Sequence, residues 1–215
     1  LACGKTLRWY ELIPLFSFVA QRGRCRGCAT RISLQYPLVE LLTGLIFAAV
    51  FWKESLSLSL PLSLVFWSLL IVIAVYDLRH KIIPNGLVYA FSGFSALFLF
   101  GFPDAWGDFS YERLFAGVGL ALFPATLWLV SRGRWMGLGD AKLLLGVGFL
   151  LGPTLGISAL IYSFWIGALV SVFLLSARAG KVTMKSEIPF GPFIVLGAAI
   201  AYFFDLDIIS LLLYV

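Results

Sequence analysis

Apolar residues run in long blocks along this chain, separated by short polar stretches. Blocks at 36–52, 58–76, 85–101, 114–131, 140–152, 157–176 and 189–204 are long enough, or nearly so, to cross a bilayer as helices. A last run at 208–215 is too short to cross. The pattern predicts an all-α polytopic transmembrane helix bundle of about seven spans over residues 35–215, preceded by a polar segment, residues 1–34. That segment is the one candidate extramembrane domain.

Composition agrees. Hydrophobic residues make up 61% of the 215 and charged residues 13%, against about a quarter charged in soluble domains. Apolar runs use up the chain and leave no room for a second soluble core. The net charge of +5 suggests nucleic acid or an acidic partner only until topology is considered. With the N-terminal segment in the cytoplasm, Lys5, Arg8, Arg22, Arg24, Arg26, Arg31, Arg79, Lys81, Arg132, Arg134, Lys142, Arg178, Lys181 and Lys185 all fall inside, and only Lys53 and Arg113 fall outside. That asymmetry is what the positive-inside rule requires. It accounts for the basic charge with membrane lipids as the partner and no nucleic acid. The tryptophans, Trp67 among them, fall mostly near span ends and read as interfacial anchors. No basic region followed by an apolar run marks a signal peptide, and the chain opens without Met, so a missing upstream piece is expected.

Two aspartates sit where lipid tolerates them least. Asp77 closes the block 58–76 and Asp140 opens the next inside Gly137-Leu-Gly139-Asp140. A carboxylate in a span costs about 2.5 to 3.5 kcal/mol and is read as functional by default, with a partner. In the expected topology Asp77 ends an inward-running span and Asp140 begins an outward-running one, so both lie at the same depth, near the cytoplasmic face. The run 140–152 is only about 20 Å long as a helix against about 30 Å of hydrocarbon, so either it extends back toward Trp135 or the site lies in a dip that water enters. Two carboxylates held together share a proton: one acts as base on a water while the other polarises a carbonyl. That is aspartic-protease chemistry, without metal or side-chain nucleophile. The blander readings are a helix-end carboxylate beside Arg79 and Lys81 for Asp77 and a helix N-cap for Asp140; joint depth argues against both.

Gly137 and Gly139 let a neighbouring helix or an extended peptide approach the backbone closely. His80 reads as an interfacial side chain in a basic stretch or, three residues after Asp77, as a proton relay. On the polar segment, Cys25-Arg-Gly-Cys28 with Cys3 reads as a metal knuckle, since a C-x-x-C pair in a reducing compartment favours zinc over a disulfide. Zinc prefers four such ligands; three are present.

Asp77-Leu-Arg-His-Lys-Ile-Ile-Pro-Asn85, Gly137-Leu-Gly-Asp-Ala-Lys-Leu143, Ile188-Pro-Phe-Gly-Pro-Phe193 and Tyr36-Pro-Leu-Val-Glu40 together resemble the type IV prepilin leader peptidases, membrane aspartic proteases of the G-x-G-D kind. The resemblance covers essentially the whole chain. It implies Asp77 and Asp140 as the catalytic pair. The implied activity is cleavage of the basic leader of prepilins and pseudopilins after a glycine, on the cytoplasmic side of a bacterial inner membrane. It also implies N-methylation of the new terminus from S-adenosylmethionine. Longer members carry two C-x-x-C pairs; Cys3 then corresponds to the second cysteine of the first pair, with its partner just before Leu1, and the piece expected upstream would hold that cysteine and a first membrane span. Lys142 either snorkels to headgroups or, as its place in the family motif suggests, tunes the pair or contacts substrate. Pro189, Phe190, Gly191 and Pro192 either punctuate a helix start or pair with substrate backbone near the dyad. Because prepilin leaders are basic like this face, Glu11, Glu40 and Glu187 are the candidates for local recruitment. Two rival functions remain from the residues: a proton-coupled transporter using the carboxylate pair, and a structural zinc-knuckle subunit of a secretion assembly.

Overall fold

The computed structural model describes residues 3–101, 111–177 and 188–213. The chain divides into two compact units, Leu1–Trp52 and Lys53–Val215. Among the described residues there is no strand, only an isolated antiparallel bridge between Arg24 and Arg31.

In the first unit a 3-10 turn at Trp9–Leu12 and a short helix α1 (Phe16–Ala20) lead through the cysteine-bearing turns into α2 (Gln35–Glu54), which runs on into the second unit. Glu11 is buried: it accepts the Arg8 amide at 3.0 Å and pairs with Lys5 at 2.8 Å. The Arg8 amide first, then Lys5, hold its carboxyl below the usual glutamate range. Glu40 accepts the Leu15 amide at 2.8 Å. Two of the three acids expected to be available for a basic leader are thus already engaged in local structure, and the third, Glu187, lies outside the described residues. The same holds for Asp104, Trp106, Asp108, Arg178, Lys181 and Lys185.

The second unit contains α3 (Leu60–His80), α4 (Asn85–Gly101), α5 (Tyr111–Ser131), α6 (Leu138–Ala177), α7 (Gly191–Phe204) and α8 (Ile208–Leu213). Helix α6 is central, packing on α4, α5 and α7, while α3 packs on α4 and α7. Among the described residues four helices, α2, α3, α5 and α6, are long and apolar enough to cross a membrane; α4 and α7 are shorter apolar helices. Each apolar run, among the described residues, forms mostly helix, as it must where backbone polar groups in lipid are satisfied within the segment. The runs 140–152 and 157–176 both fall in α6, which is two helices joined at a break, and the reason for the break is local. Gly152 leaves helical geometry at φ 78, ψ −170, a conformation open essentially only to glycine, and Pro153 follows as a natural helix start. A β-carbon built on Gly156 would lie 3.8 Å from Gly148 Cα, whereas in an unbroken helix the two would stand about 12 Å apart. The second half of α6 folds back on the first.

One side of each helix faces the core. On α3 the buried positions Phe66, Leu70 and Ile73 are three or four residues apart and extend to Asp77; on α6 they run from Asp140 through Leu143, Leu144 and Val147. Both aspartates continue an inward-facing apolar stripe. Trp67 is a correction to the sequence reading: it is 1% exposed, stacked on Phe203 at 4.9 Å and beside Tyr202. It is a core residue, not an interfacial anchor. Trp9 and Trp52 are strongly exposed.

Polar contacts gather at opposite ends of this unit. Lys53 pairs with Asp205 at 2.7 Å and Glu54 accepts the Tyr202 hydroxyl at 2.5 Å, both at the far end of α7 from Gly191. Arg113 donates to the Leu150 carbonyl at 3.1 Å, beside the break in α6 and away from Asp140. The other end holds the aspartates.

Candidate active site

Four chain segments converge at that end. Helix α3 ends just after Asp77: Lys81 takes the left-handed conformation at φ 55 and its amide bonds the Asp77 carbonyl at 2.7 Å, a helix-stopping turn more often made by glycine. The short connection through Pro84 leads into α4. Helix α6 begins at Leu138 and carries Asp140 in its first turn. Helix α7 starts at Gly191 with Pro192 in its first turn. Between them lies a cavity of about 610 Å³, lined by both aspartates and by Lys81, Asn85, Gly137, Gly139, Lys142, Pro189 and Phe190. That volume falls in the range of small-molecule and peptide sites.

Asp77 is 4% exposed and Asp140 is 7%. Each has one carboxylate oxygen held by a glycine amide: Gly191 N–H donates to Asp77 Oδ2 at 2.9 Å, and Gly137 N–H to Asp140 Oδ2 at 3.2 Å. The glycine at 191 is dictated by space, since a β-carbon there would lie 2.7 Å from Asp77 Oδ2. Both carboxylates border the same cavity.

The structure brings together the predicted catalytic and supporting residues around the two aspartates. Gly137, Gly139, Lys142, Pro189 and Phe190 line the cavity, Gly191 bonds Asp77, and Pro192 is buried. Lys142 Nζ donates to Asn85 Oδ1 at 2.8 Å and sits 5.0 Å from the centre of the Tyr89 ring. It is tied across to α4. His80 stacks on Tyr76 at 4.2 Å with Nδ1 3.2 Å from the Tyr76 carbonyl, and does not line the cavity. Sequence reasoning missed several lining residues. Trp135, read as an anchor, is part of the wall, as are Met136, Ile82, Ile83 and Phe164. Phe164 packs on Phe190 at 4.9 Å; nothing in its apolar run distinguishes it, because only the fold-back of α6 carries it there.

The cysteines form their own cluster in the first unit. The sulfurs of Cys3, Cys25 and Cys28 lie within 4.8 Å of one another, with Cys3 and Cys25 at 3.9 Å. Tetrahedral zinc with Zn–S near 2.3 Å separates its sulfurs by about 3.8 Å, so the spacing fits. Gly27 N–H reaches Cys25 Sγ at 3.4 Å, and Thr30, through its hydroxyl and amide, brings the Cys28 thiol down to about 7, which favours the thiolate that a metal needs. The three sulfurs are close enough together to hold a metal ion.

Residues 1–54 match the family described as bacterial peptidase A24 N-terminal domain, and residues 64–172 match the type IV leader peptidase family. The chain belongs to the type IV leader peptidase family. Among curated relatives, the prepilin leader peptidase/N-methyltransferase of Bacillus subtilis (strain 168) is 37% identical over 209 residues, covering 97% of this chain and 82% of the relative. The protein of the same name from Myxococcus xanthus (strain DK1622) is 37% identical over 190 residues, 86% of this chain and 56% of the relative; that from Pseudomonas putida is 33% identical over 206 residues, 93% and 69%. No solved structure matches. Membership makes this leader-peptidase chain an enzyme and an integral membrane protein, and it favours peptide hydrolysis over proton-coupled transport or a purely structural role.

Proposed function

We propose that this leader peptidase is a G-x-G-D aspartic endopeptidase whose catalytic pair is Asp77 and Asp140. It removes the leader of prepilins and pseudopilins after glycine at the cytoplasmic edge of a bacterial inner membrane. The observation that carries the reading is the two buried carboxylates, from helices distant in sequence, opening on one cavity, each with one oxygen tied to a glycine amide. In the reaction one carboxylate takes a proton from water as the water attacks the scissile carbonyl. The other donates a proton to the carbonyl oxygen, and proton return to the leaving amine completes hydrolysis.

The topology behind this reading has seven spans, with residues 1–34 as a cytoplasmic cysteine-bearing segment and 35–215 as the peptidase domain. It is supported by Lys53 and Arg113, the two cations assigned outside, which lie at the end of the bundle away from the cavity. The apolar start of a pilin would sit in the bilayer and its leader on the cytoplasmic face. The glycine before the cut eases local unwinding of the bond. Gly137, Gly139, Lys142, Pro189 and Phe190 border the path of the peptide. Cys3, Cys25 and Cys28 would hold a structural zinc, which orders the turns of the first unit. Methylation of the new N-terminal amine from S-adenosylmethionine rests on the relatives' names alone.

The test is incubation of purified enzyme in vesicles with a prepilin, read by product mass. Asp77→Asn and Asp140→Asn should each abolish leader release while the protein stays folded in the membrane. Near-normal turnover by either variant defeats the aspartic mechanism. A mass increase of one methyl group on the cleaved product reports methyl transfer separately.

A further inference from the structure

Ile83 touches the support of both aspartates. It lies in the short connection between α3 and α4 and lines the cavity. A β-carbon built on Gly139 would come 2.9 Å from Ile83 Cβ, and one built on Gly191 would come 3.3 Å from Ile83 Cδ1. One side chain therefore rests against the glycine that precedes Asp140 and against the glycine whose amide holds Asp77. Its branch point at Cβ lies closest to α6, and its tip at Cδ1 lies between the two, 3.4 Å from the β-carbon position of Gly139 and 3.3 Å from that of Gly191.

Ile83 is itself held on both sides. Before it, the Lys81 amide is bonded to the Asp77 carbonyl at 2.7 Å; after it, Asn85 accepts Lys142 Nζ of α6 at 2.8 Å. A β-branched side chain has little freedom at χ1, and a close-packed interior passes a displacement on to its neighbours. The two carboxylates come from segments more than sixty residues apart in sequence. Their separation is thus set by what packs between the backbones that carry and hold them.

We propose that Ile83 is a positioning residue that sets the spacing of Asp77 and Asp140, an inference that rests on the reading of these two as the catalytic pair. Filling the gap between Gly139 and Gly191 keeps α6 and the start of α7 from closing on each other, so that both carboxylates face one peptide bond. The requirement is for a side chain of this shape and not for its chemistry, since Ile83 has nothing to exchange with the substrate but apolar contact.

The contacts can be removed in steps. Ile83→Val keeps the Cβ contact with Gly139 and loses the Cδ1 contacts with both Gly139 and Gly191; Ile83→Ala also removes the rest of the branch. A shift of about 1 Å in a reacting group costs on the order of 10²-fold in rate. Leader cleavage by Ile83→Ala is therefore expected to lose about 10²-fold in kcat and by Ile83→Val about 10-fold, graded by size, with KM within about threefold of wild type. A kcat unchanged in both variants overturns the proposal. So does a loss carried by KM alone, which would make Ile83 only a wall against the substrate. If Ile83→Ala fails to accumulate in the membrane, Ile83→Val decides by itself. Wild-type enzyme that cleaves, with Asp77→Asn inactive and every Ile83 variant that accumulates at full kcat, removes the role of Ile83 and leaves the dyad standing; an Asp77→Asn variant that still cleaves removes both.

Discussion

A single methyl group added at Gly191 tests whether the hold on Asp77 matters for catalysis. The β-carbon of Gly191→Ala would stand 2.7 Å from Asp77 Oδ2, 3.3 Å from Asp77 Cγ and 3.3 Å from Ile83 Cδ1, where ordinary contacts begin at 3.4 Å. The carboxylate oxygen must retreat by about 0.7 Å, the difference between 3.4 and 2.7 Å. The retreat stretches the 2.9 Å bond from the Gly191 amide. Gly191 does not have a positive φ, so the cost is one of contact and not of backbone strain, and alanine is otherwise a better helix residue. A misplacement approaching 1 Å costs about 10²-fold in rate, or about 2.7 kcal/mol in the barrier. The expected result is a fall of about that size in kcat for leader release, with KM and thermal stability little changed. Gly93→Ala, where nothing lies within 4 Å of the new carbon, is the matched control and should keep wild-type turnover. If Gly191→Ala retains kcat within about threefold of wild type, either Asp77 is not positioned by this amide or its position is not limiting, and the reasoning fails.

Other positions give independent checks. Gly152→Ala forces a side chain into φ 78, ψ −170 and should cost roughly 1 to 3 kcal/mol, read as a lower unfolding midpoint in detergent; an unchanged midpoint would mean that the break in α6 is not conformationally demanding. After zinc loading, replacing Cys25 and Cys28 by Ser should abolish bound metal measured by elemental analysis, while leader cleavage falls less than in Asp77→Asn; retained metal would assign it elsewhere. Glu11 has a depressed folded pKa, so its contribution is fully present above the unfolded value of about 4.3 and is lost as pH falls through the folded value. Hydrogen exchange at the Arg8 amide should therefore lose protection only in acid below about pH 4.3, after correction for intrinsic rates, and a loss of protection at neutral pH would contradict the pairing.

The helices were legible in the sequence, since a chain in lipid must satisfy its backbone within each apolar run and the runs are long and separated by polar stretches. The candidate carboxylates were legible too, because a charged group is rare enough in such runs to be visible singly, and the glycines and proline-rich start of α7 stood in motifs. Neighbours between helices were not. Trp67 reads locally like an anchor and is buried; Glu11 and Glu40 read as available and are bonded; Ile83 stands in a motif that does not show what it packs on, and Trp135 and Phe164 carry no local mark of the cavity they line. These depend on which faces of α3, α4, α6 and α7 meet, and on a fold-back at Gly152 that brings distant residues side by side. Local pattern determines which segments become helices. Only packing between segments far apart in the chain decides what each aspartate faces, because such contacts follow from tertiary arrangement and leave no periodic trace in either partner's sequence.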